Sequence, residues 1–450
     1  MKIKLKKKIK KLLFLIIILL FSTLIIDLLC IFNGNKPIFA IKEQDKNSSN
    51  IKYKGLFFDT YNCDIYSSYQ IKGKFVKFNC PETLLDVIES EDKKLEAKLT
   101  LVGDLLFEQP FYDAINMGDD KNEYFSLVKD YFENDDLSIG NMEVVIGNDE
   151  LEVSGKGYNF CAPPYIGDLV NTIDFEVLGT ANNHSYDRGN AGIHSSIDYF
   201  KNNSNIVTVG TYKDLEDRNN LRILNIDDIK FGFLAYTYGT NQKPKGDDVN
   251  LIGYYKDPNT KELTLEYKEK LKNEINALKK ESDVIIVLMH WGNEFTYTPN
   301  KEQKEMALFL NELGVNIIVG SHSHNIQPIE IIGDVNKTLV YYSLGNFVSH
   351  DDDIARTPIG EEEFDNAYQV GMLSTLNVIL ENGKVNFENI NAELIVNYFD
   401  NNMRNFKLIP FSDYNESYEK NHYRYNKGLT RIFINNIYNK VIDEDYHNGA

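Results

Sequence analysis

The chain has 450 residues, of which 42% are hydrophobic and 26% charged, an ordinary balance for a globular protein with one large or two medium domains. With 48 Lys and Arg against 67 Asp and Glu, the formal net charge of −19 repels nucleic acid and leaves no basis for a nucleic-acid partner. Four cysteines, without a CxxC or a Cys/His cluster, exclude a disulfide framework and a structural zinc module.

Residues 1–11 form a basic region with seven lysines, followed over residues 12–32 by LLFLIIILLFSTLIIDLLCIF. A basic segment ahead of about 20 apolar residues predicts a single-pass signal anchor in the cell membrane, with the lysines cytoplasmic and the C-terminal domain extracellular. Cleavage after Ala40 and lipidation at Cys30 are the alternatives. Each lacks the small residue it needs, because Ile38 and Leu29 stand at those positions. Removing the N-terminal lysines leaves an even more acidic exterior, so an anionic ligand would need locally placed cations. Residues 33–95 read as a tether and accessory segment, with Cys63 and Cys80 close enough in sequence to pair.

From Leu99 onward, apolar strand-like runs alternate with helical ones. LTLVGD is followed by helical PFYDAINMG and EYFSLVKDYFEN, then by the strand LSIGNME. The helix IGDLVNTI precedes the strand DFEVLGTANNH, and the helix GIHSSIDYFKNN precedes IVTVG. LRILNIDDIKFGFLAYTY predicts a hairpin turning at Asp227–Asp228. Residues 261–282 and 301–314 read as helices before the strands DVIIVLMH and VNIIVGSHSH, and KTLVYYSLGNF reads as one further strand. This succession predicts an α/β fold with helix-covered sheets.

Polar, metal-competent residues recur just past the strand ends: Asp104, Glu143, Asn183 with His184, His290, and His322 with His324. Ligands of open α/β sheets gather beyond the strands' carboxyl ends. Half of the eight histidines sit at these tips. His322 and His324 are two apart, so in an extended segment both would face one cavity. Asn141 and Glu143 share a face in the same way. Trp291 either walls this cavity or packs elsewhere. The carboxylate, amide and imidazole set suits one or two divalent transition ions (manganese, iron or zinc). The acidic runs HDDD at 350–353 and EEE at 361–363 read as a solvated loop or a lid.

VGDLLF, NME, ANNHSYDRGNAG, HWGNEF, GVNIIVGSHSHNIQPIE and YYSLGNF follow the motif order of the CapA-type poly-γ-glutamate capsule biosynthesis proteins. The chain resembles that family, which lies in the calcineurin-like metallophosphoesterase superfamily, over about residues 96–412; residues 413–450 are left as a C-terminal tail. The resemblance implies a four-layer αββα sandwich with a two-metal site. In it Asp104 and His324 would bind one ion, Asn183, His290 and His322 the other, and Glu143 both. His184 would be the catalytic acid or oxyanion-stabilising group, with Asn141, Asp187, Glu294 and Asn346 in support. The superfamily's first motif carries a histidine at the position of Leu106, so one imidazole is missing. The implied function is a membrane-anchored capsule biosynthesis protein with a metal-dependent, hydrolase-like site. The alternative is a non-catalytic accessory protein that binds or helps export the polymer. Its partners would be poly-γ-glutamate or another anionic envelope polymer, the membrane and other capsule synthesis proteins.

Overall fold

The computed structural model describes residues 24–31, 37–38, 40–44, 51–54, 58–62, 70–73 and 94–447, except Tyr158, Val335 and residues 351–361. The chain divides into two compact units, residues 1–93 and 94–450. In the first, residues 24–31 are helical, and Asp27 Oδ1 accepts the Ile38 N–H at 2.7 Å. Strands Ile41–Gln44, Ile51–Lys54, Phe58–Asn62 and Gln70–Gly73 pair antiparallel in chain order. Most of the expected anchor, both Cys63 and Cys80, and most of the two acidic runs lie outside the described residues. Among the described residues, no helix is long and apolar enough to cross a membrane.

The second unit is built on two sheets. Leu95–Leu105, Leu137–Met142, Val177–Gly179 and Val207–Val209 run parallel in the first, and Asn346–Val348 pairs parallel with Leu95–Leu105. The first sheet is extended antiparallel by Val370–Glu381, Lys384–Tyr398 and Lys407–Pro410. In the second sheet Ile229–Thr237, Val284–His290, Ile317–Ser321 and Thr338–Tyr341 run parallel, with antiparallel edges at Arg222–Ile226 and Ile329–Ile332. The first of these edges is the expected hairpin, and its turn residues Asp227 and Asp228 both have positive φ (47° and 67°).

Strand alternation assigns the layers. Leu99, Leu101 and Ile139 of the first sheet share a buried cluster with Phe231, Phe233 and Ile286 of the second, so the sheets pack face to face. Across the same strands, Val102 and Leu105 meet Phe111, Ile166 and Phe200 from helices Gln109–Asn116, Pro164–Val170 and Gly189–Asn203. Leu234 and Val287 meet Leu271, Ile275, Met306 and Leu310 from helices Leu265–Leu278 and Lys301–Leu313. The order is helix, sheet, sheet, helix. Residues 413–450 belong to the same unit; helix Arg431–Val441 adds Ile434, Ile437 and Tyr438 to the inter-sheet cluster.

Two elements differ from the sequence reading. KTLVYYSLGNF is not one strand: Thr338–Tyr341 lies in the second sheet and Asn346–Val348 in the first. The chain crosses between them at Gly345, whose φ of 64° an L side chain rarely adopts. EYFSLVKDYFEN is helical only at a 3₁₀ turn and at Lys129–Glu133, because Tyr124, Phe125 and Val128 all turn into the aromatic cluster below the first sheet.

Two carboxyls at the end of the first sheet away from Asp104 allow a pH test. Glu176 Oε2 accepts the Ser138 N–H at 2.6 Å and Asp135 Oδ2 the Ser138 hydroxyl at 2.7 Å. Burial pushes Asp135 up to about 6; burial, with the charge of Asp135, pushes Glu176 up to about 7. The folded state therefore holds these protons more tightly than the unfolded chain. Their destabilisation is absent below the ordinary carboxyl range, grows as pH rises through that range toward about 7, and is constant above. Glu176→Gln keeps an acceptor for Ser138, and its melting temperature should exceed that of the native chain at pH 8 and match it at pH 4. A lower value at pH 8 would contradict this account.

Candidate metal centre

Parallel strands bring their carboxyl ends to one edge of each sheet, and the register aligns the polar tips. Asp104 stands opposite both Asn141 and Asn346 in the first sheet. Thr237 stands opposite His290, and His290 opposite Ser321, in the second. Asp104, Glu143, Asn183, His290, His322 and His324 come together there, all buried.

The convergence has two parts. Glu143, His290 and His322 form one triad, and Asp104, Glu143 and His324 form another; within each, one atom per side chain lies within 4.8 Å of the others. Glu143 Oε1 is 3.4 Å from His290 Nε2 and 4.0 Å from His324 Nε2. Asn183 Oδ1 joins the first triad, 2.6 Å from His290 Nε2. In the second, His324 Nδ1 lies 3.6 Å from Asp104 Oδ2. Asp104 is aimed by the Asn141 amide, which donates to Oδ1 at 2.7 Å, and by the His322 N–H, which donates to Oδ2 at 3.2 Å. Asn346 Oδ1 orients His324 at 2.8 Å.

His322 and His324 do not reach one cavity by strand alternation. Both have left-handed backbones (φ 89° and 54°), so SHSH is a sharp turn. A non-glycine residue held there costs on the order of 1–3 kcal/mol, and such strain gathers at functional sites.

The residues fit a bound cation. Neither oxygen of Glu143 and not the Nδ1 of His322 has a hydrogen-bond partner, although all three atoms are buried. An orphaned buried carboxylate is costly, and a cation is the partner that removes the cost. Burial, and for Asp104 also the charge of Glu143, raises both carboxyls above their ordinary range. Burial, with the other ring charges, holds His290 and His322 well below the ordinary histidine range, so at neutral pH each ring offers a lone pair. For His324, burial works toward lowering, but Glu143 and Asp104 outweigh it and the ring is raised.

His184 lies outside both triads. Its Nδ1 is 2.7 Å from Asp187 Oδ2, its Nε2 is 3.4 Å from the Asn241 amide, and the edge of Phe160 packs on the ring. Glu294 is half-buried and reaches the cluster through its charge on His324 and Glu143. Leu106 is buried in the apolar cluster under the first sheet and brings no ligand atom. Trp291 packs against Tyr342 on the helix side of the second sheet, away from the cavity, with its N–H donated to the Tyr342 carbonyl.

Three further residues escaped the sequence reading. Ser321 Oγ lies 2.9 Å from His290 Nδ1 and fixes that ring. Tyr238 packs on His322 with centroids 4.6 Å apart. Asn241 donates its N–H to the Asn183 carbonyl at 2.7 Å, tying the next loop to the site. Tyr238 and Asn241 follow a parallel strand, as the recognised tips do, but the aromatic run AYTY hid the polar ending.

The bacterial capsule synthesis protein family PGA_cap matches residues 98–351 of this chain. The PGA biosynthesis protein CapA of Bacillus subtilis (strain 168) is 28% identical over 251 residues, covering 55% of this chain and 62% of that protein. The capsule biosynthesis protein CapA of Bacillus anthracis is 27% identical over 278 residues, covering 59% and 62%. The chain thus spans less than two thirds of the length of these curated relatives. A phosphatase structure from Mycoplasma pneumoniae superposes with a TM-score of 0.41 at 14% identity, over 68% of this chain and 95% of that one. The family match takes in both triads and covers more than half of the sequence, and the chain therefore belongs to the bacterial capsule synthesis proteins of the PGA_cap family.

Proposed function

We propose that this chain is a metal-dependent hydrolase of capsule assembly that acts on poly-γ-glutamate or another anionic envelope polymer. Residues 12–32 anchor it in the cell membrane beside other capsule synthesis proteins, with residues 94–450 outside. The observation that carries the reading is Glu143, a buried carboxylate shared by two ligand triads and left without a hydrogen-bond donor. Asp104 and His324 with Glu143 would hold one divalent ion, and Asn183, His290 and His322 with Glu143 the other. The absence of thiolate suits manganese, iron or zinc. Such ions, when bound, would polarise the carbonyl or phosphoryl oxygen of the substrate and would lower the pKa of water toward ~7.

The chain's own groups do the rest. Asp187 accepts from His184 Nδ1–H, which fixes the ring and leaves Nε2 to carry a proton to the leaving group, the nitrogen of a γ-glutamyl amide or the oxygen of an ester. The Asn241 amide beside Nε2 keeps that edge of the ring facing the cavity. Asn141, Ser321 and Asn346 hold Asp104, His290 and His324 at fixed angles, so that little reorganisation is left for the reaction.

The test is elemental analysis and turnover of the full chain supplied with manganese, iron or zinc, on phosphoesters and on poly-γ-glutamate. His322→Ala should lose metal. His184→Ala should keep it and lose about 10²–10⁴-fold in turnover. Loss of metal in His184→Ala would overturn the role given to it. A metal-loaded native chain that turns over neither substrate class would leave a polymer-binding role.

A further inference from the structure

The aromatic ring that packs on His322 carries a charge arrangement that the metal centre does not use. The segment KDPNTK closes into a tight turn at residues 256–261. Asp257 Oδ1 accepts the N–H groups of Asn259 and Thr260 at 2.7 and 3.3 Å, and the Asp257 carbonyl accepts the Lys261 N–H at 2.8 Å. Both lysines are thereby brought to one aromatic ring. Lys256 Nζ lies 6.0 Å and Lys261 Nζ 5.1 Å from the centroid of Tyr238, the ring that packs on His322. Lys261 takes a left-handed backbone (φ 62°) to do so, and its ammonium comes down on Gly239, where a Cβ would collide with it.

Two like charges beside one ring repel, and nothing in the core requires them there. Lys256 is buried and pairs with Glu302 at 2.5 Å, an oxygen that also accepts from Tyr255 at 2.6 Å. Lys261 is exposed, and among the described residues no carboxylate pairs with it. Of the nearby acids, Asp257 is committed to the turn, Glu302 to Lys256, and Glu294 acts on His324 and Glu143. In a chain of net charge −19, an uncompensated cation one ring away from the candidate centre marks a place where an anionic group gains by docking.

We propose that Lys261, with Lys256 behind it, forms a carboxylate-binding subsite that holds the acidic group next along an anionic chain whose neighbouring unit lies at the centre. The subsite rests on the reading of the site given above and adds to it how a polymer is told from a small ester. Tyr238 supplies the floor, and the exposed Lys261 ammonium, backed by Lys256 in its pair with Glu302, supplies the charge that the acidic surface elsewhere withholds.

The test is direct binding of a fluorescent γ-glutamyl oligomer to the full chain in detergent, with manganese added and metal content measured in parallel. Lys261→Met should weaken binding up to about fivefold, the upper range for one exposed charge pair, and Lys256→Met/Lys261→Met should weaken it further. The double variant should also lose part of the salt dependence of the native chain, while Lys201→Met, on an outer helix, should change neither. Equal affinity in the native chain and the double variant would overturn the subsite, whatever the metal content. Lysine-dependent binding of polyphosphate but not of the glutamyl oligomer would overturn the carboxylate assignment. A native chain that takes up no metal yet binds the oligomer through these lysines would support the subsite and sink the reading of the centre instead.

Discussion

Glu143→Gln should strip the chain of bound metal at both positions and at the same time raise the melting temperature of the metal-free protein. The two effects have one cause. Glu143 is fully buried, belongs to both triads and receives no hydrogen bond. Without a cation it is a carboxylate that burial pushes above its ordinary range and whose charge, after burial, raises the proton affinity of Asp104. Glutamine keeps the volume and removes the charge. Metal affinity should then fall by more than about 100-fold, beyond the 10–100-fold that loss of an outer-shell partner costs. The apo protein should gain, at roughly 1–2 °C for each kcal/mol in a unit spanning residues 94–450. Elemental analysis after dialysis and thermal scans with and without chelator check both halves. Retained metal would remove Glu143 from the ligand set, and a lower apo melting temperature would mean that its oxygens are satisfied.

Gly103→Ala should cost about 3 kcal/mol or more in stability, toward the upper end for overpacking a tight core, and should empty the Asp104 side of the centre. A Cβ at this position would run into the carbonyl of Gly345 on the segment that crosses between the sheets. That carbonyl accepts the Asp104 N–H at 2.9 Å. Gly371 presses on the same segment from the neighbouring strand, where a Cβ would meet the Asn346 carbonyl, so the crossing chain has no room to yield. Moving it shifts Asn346, which orients His324. Urea unfolding and metal stoichiometry would report the two effects separately. Native stability in the alanine variant would mean that this close approach does not exist.

What was legible in the sequence follows from what a strand must do locally. A buried parallel strand is an apolar run, and its end is marked by the first polar residue, so Asp104, Asn141, Asn183, His290 and His322 stood out without any knowledge of pairing. Their meeting in space depends on register, which no single run encodes. KTLVYYSLGNF carries no charged residue after Lys337 to mark a strand end, and only the contact of Gly345 with the strand of Asp104 divides it between two sheets. The turn at His322 and His324 was also hidden. Positive φ at histidine is an unfavourable local choice that the surrounding contacts impose. Lys256 and Lys261 read as ordinary loop lysines, since their shared ring, Tyr238, lies at the end of a different strand.

The ligand-bearing positions run from Asp104 to His324, with Asn346 behind them; the first three stand at strand ends of one sheet and the last three at strand ends of the other, and only the closed sandwich brings the two edge to edge. No contiguous stretch can grip an ion, so loading is a late event in maturation and cannot precede closure. In the topology proposed above, a chain threaded across the membrane before it folds would leave the cytosolic metal supply behind. Which ion it carries would then be decided by what is abundant beyond the membrane, and the cytosolic pool would have no say in it.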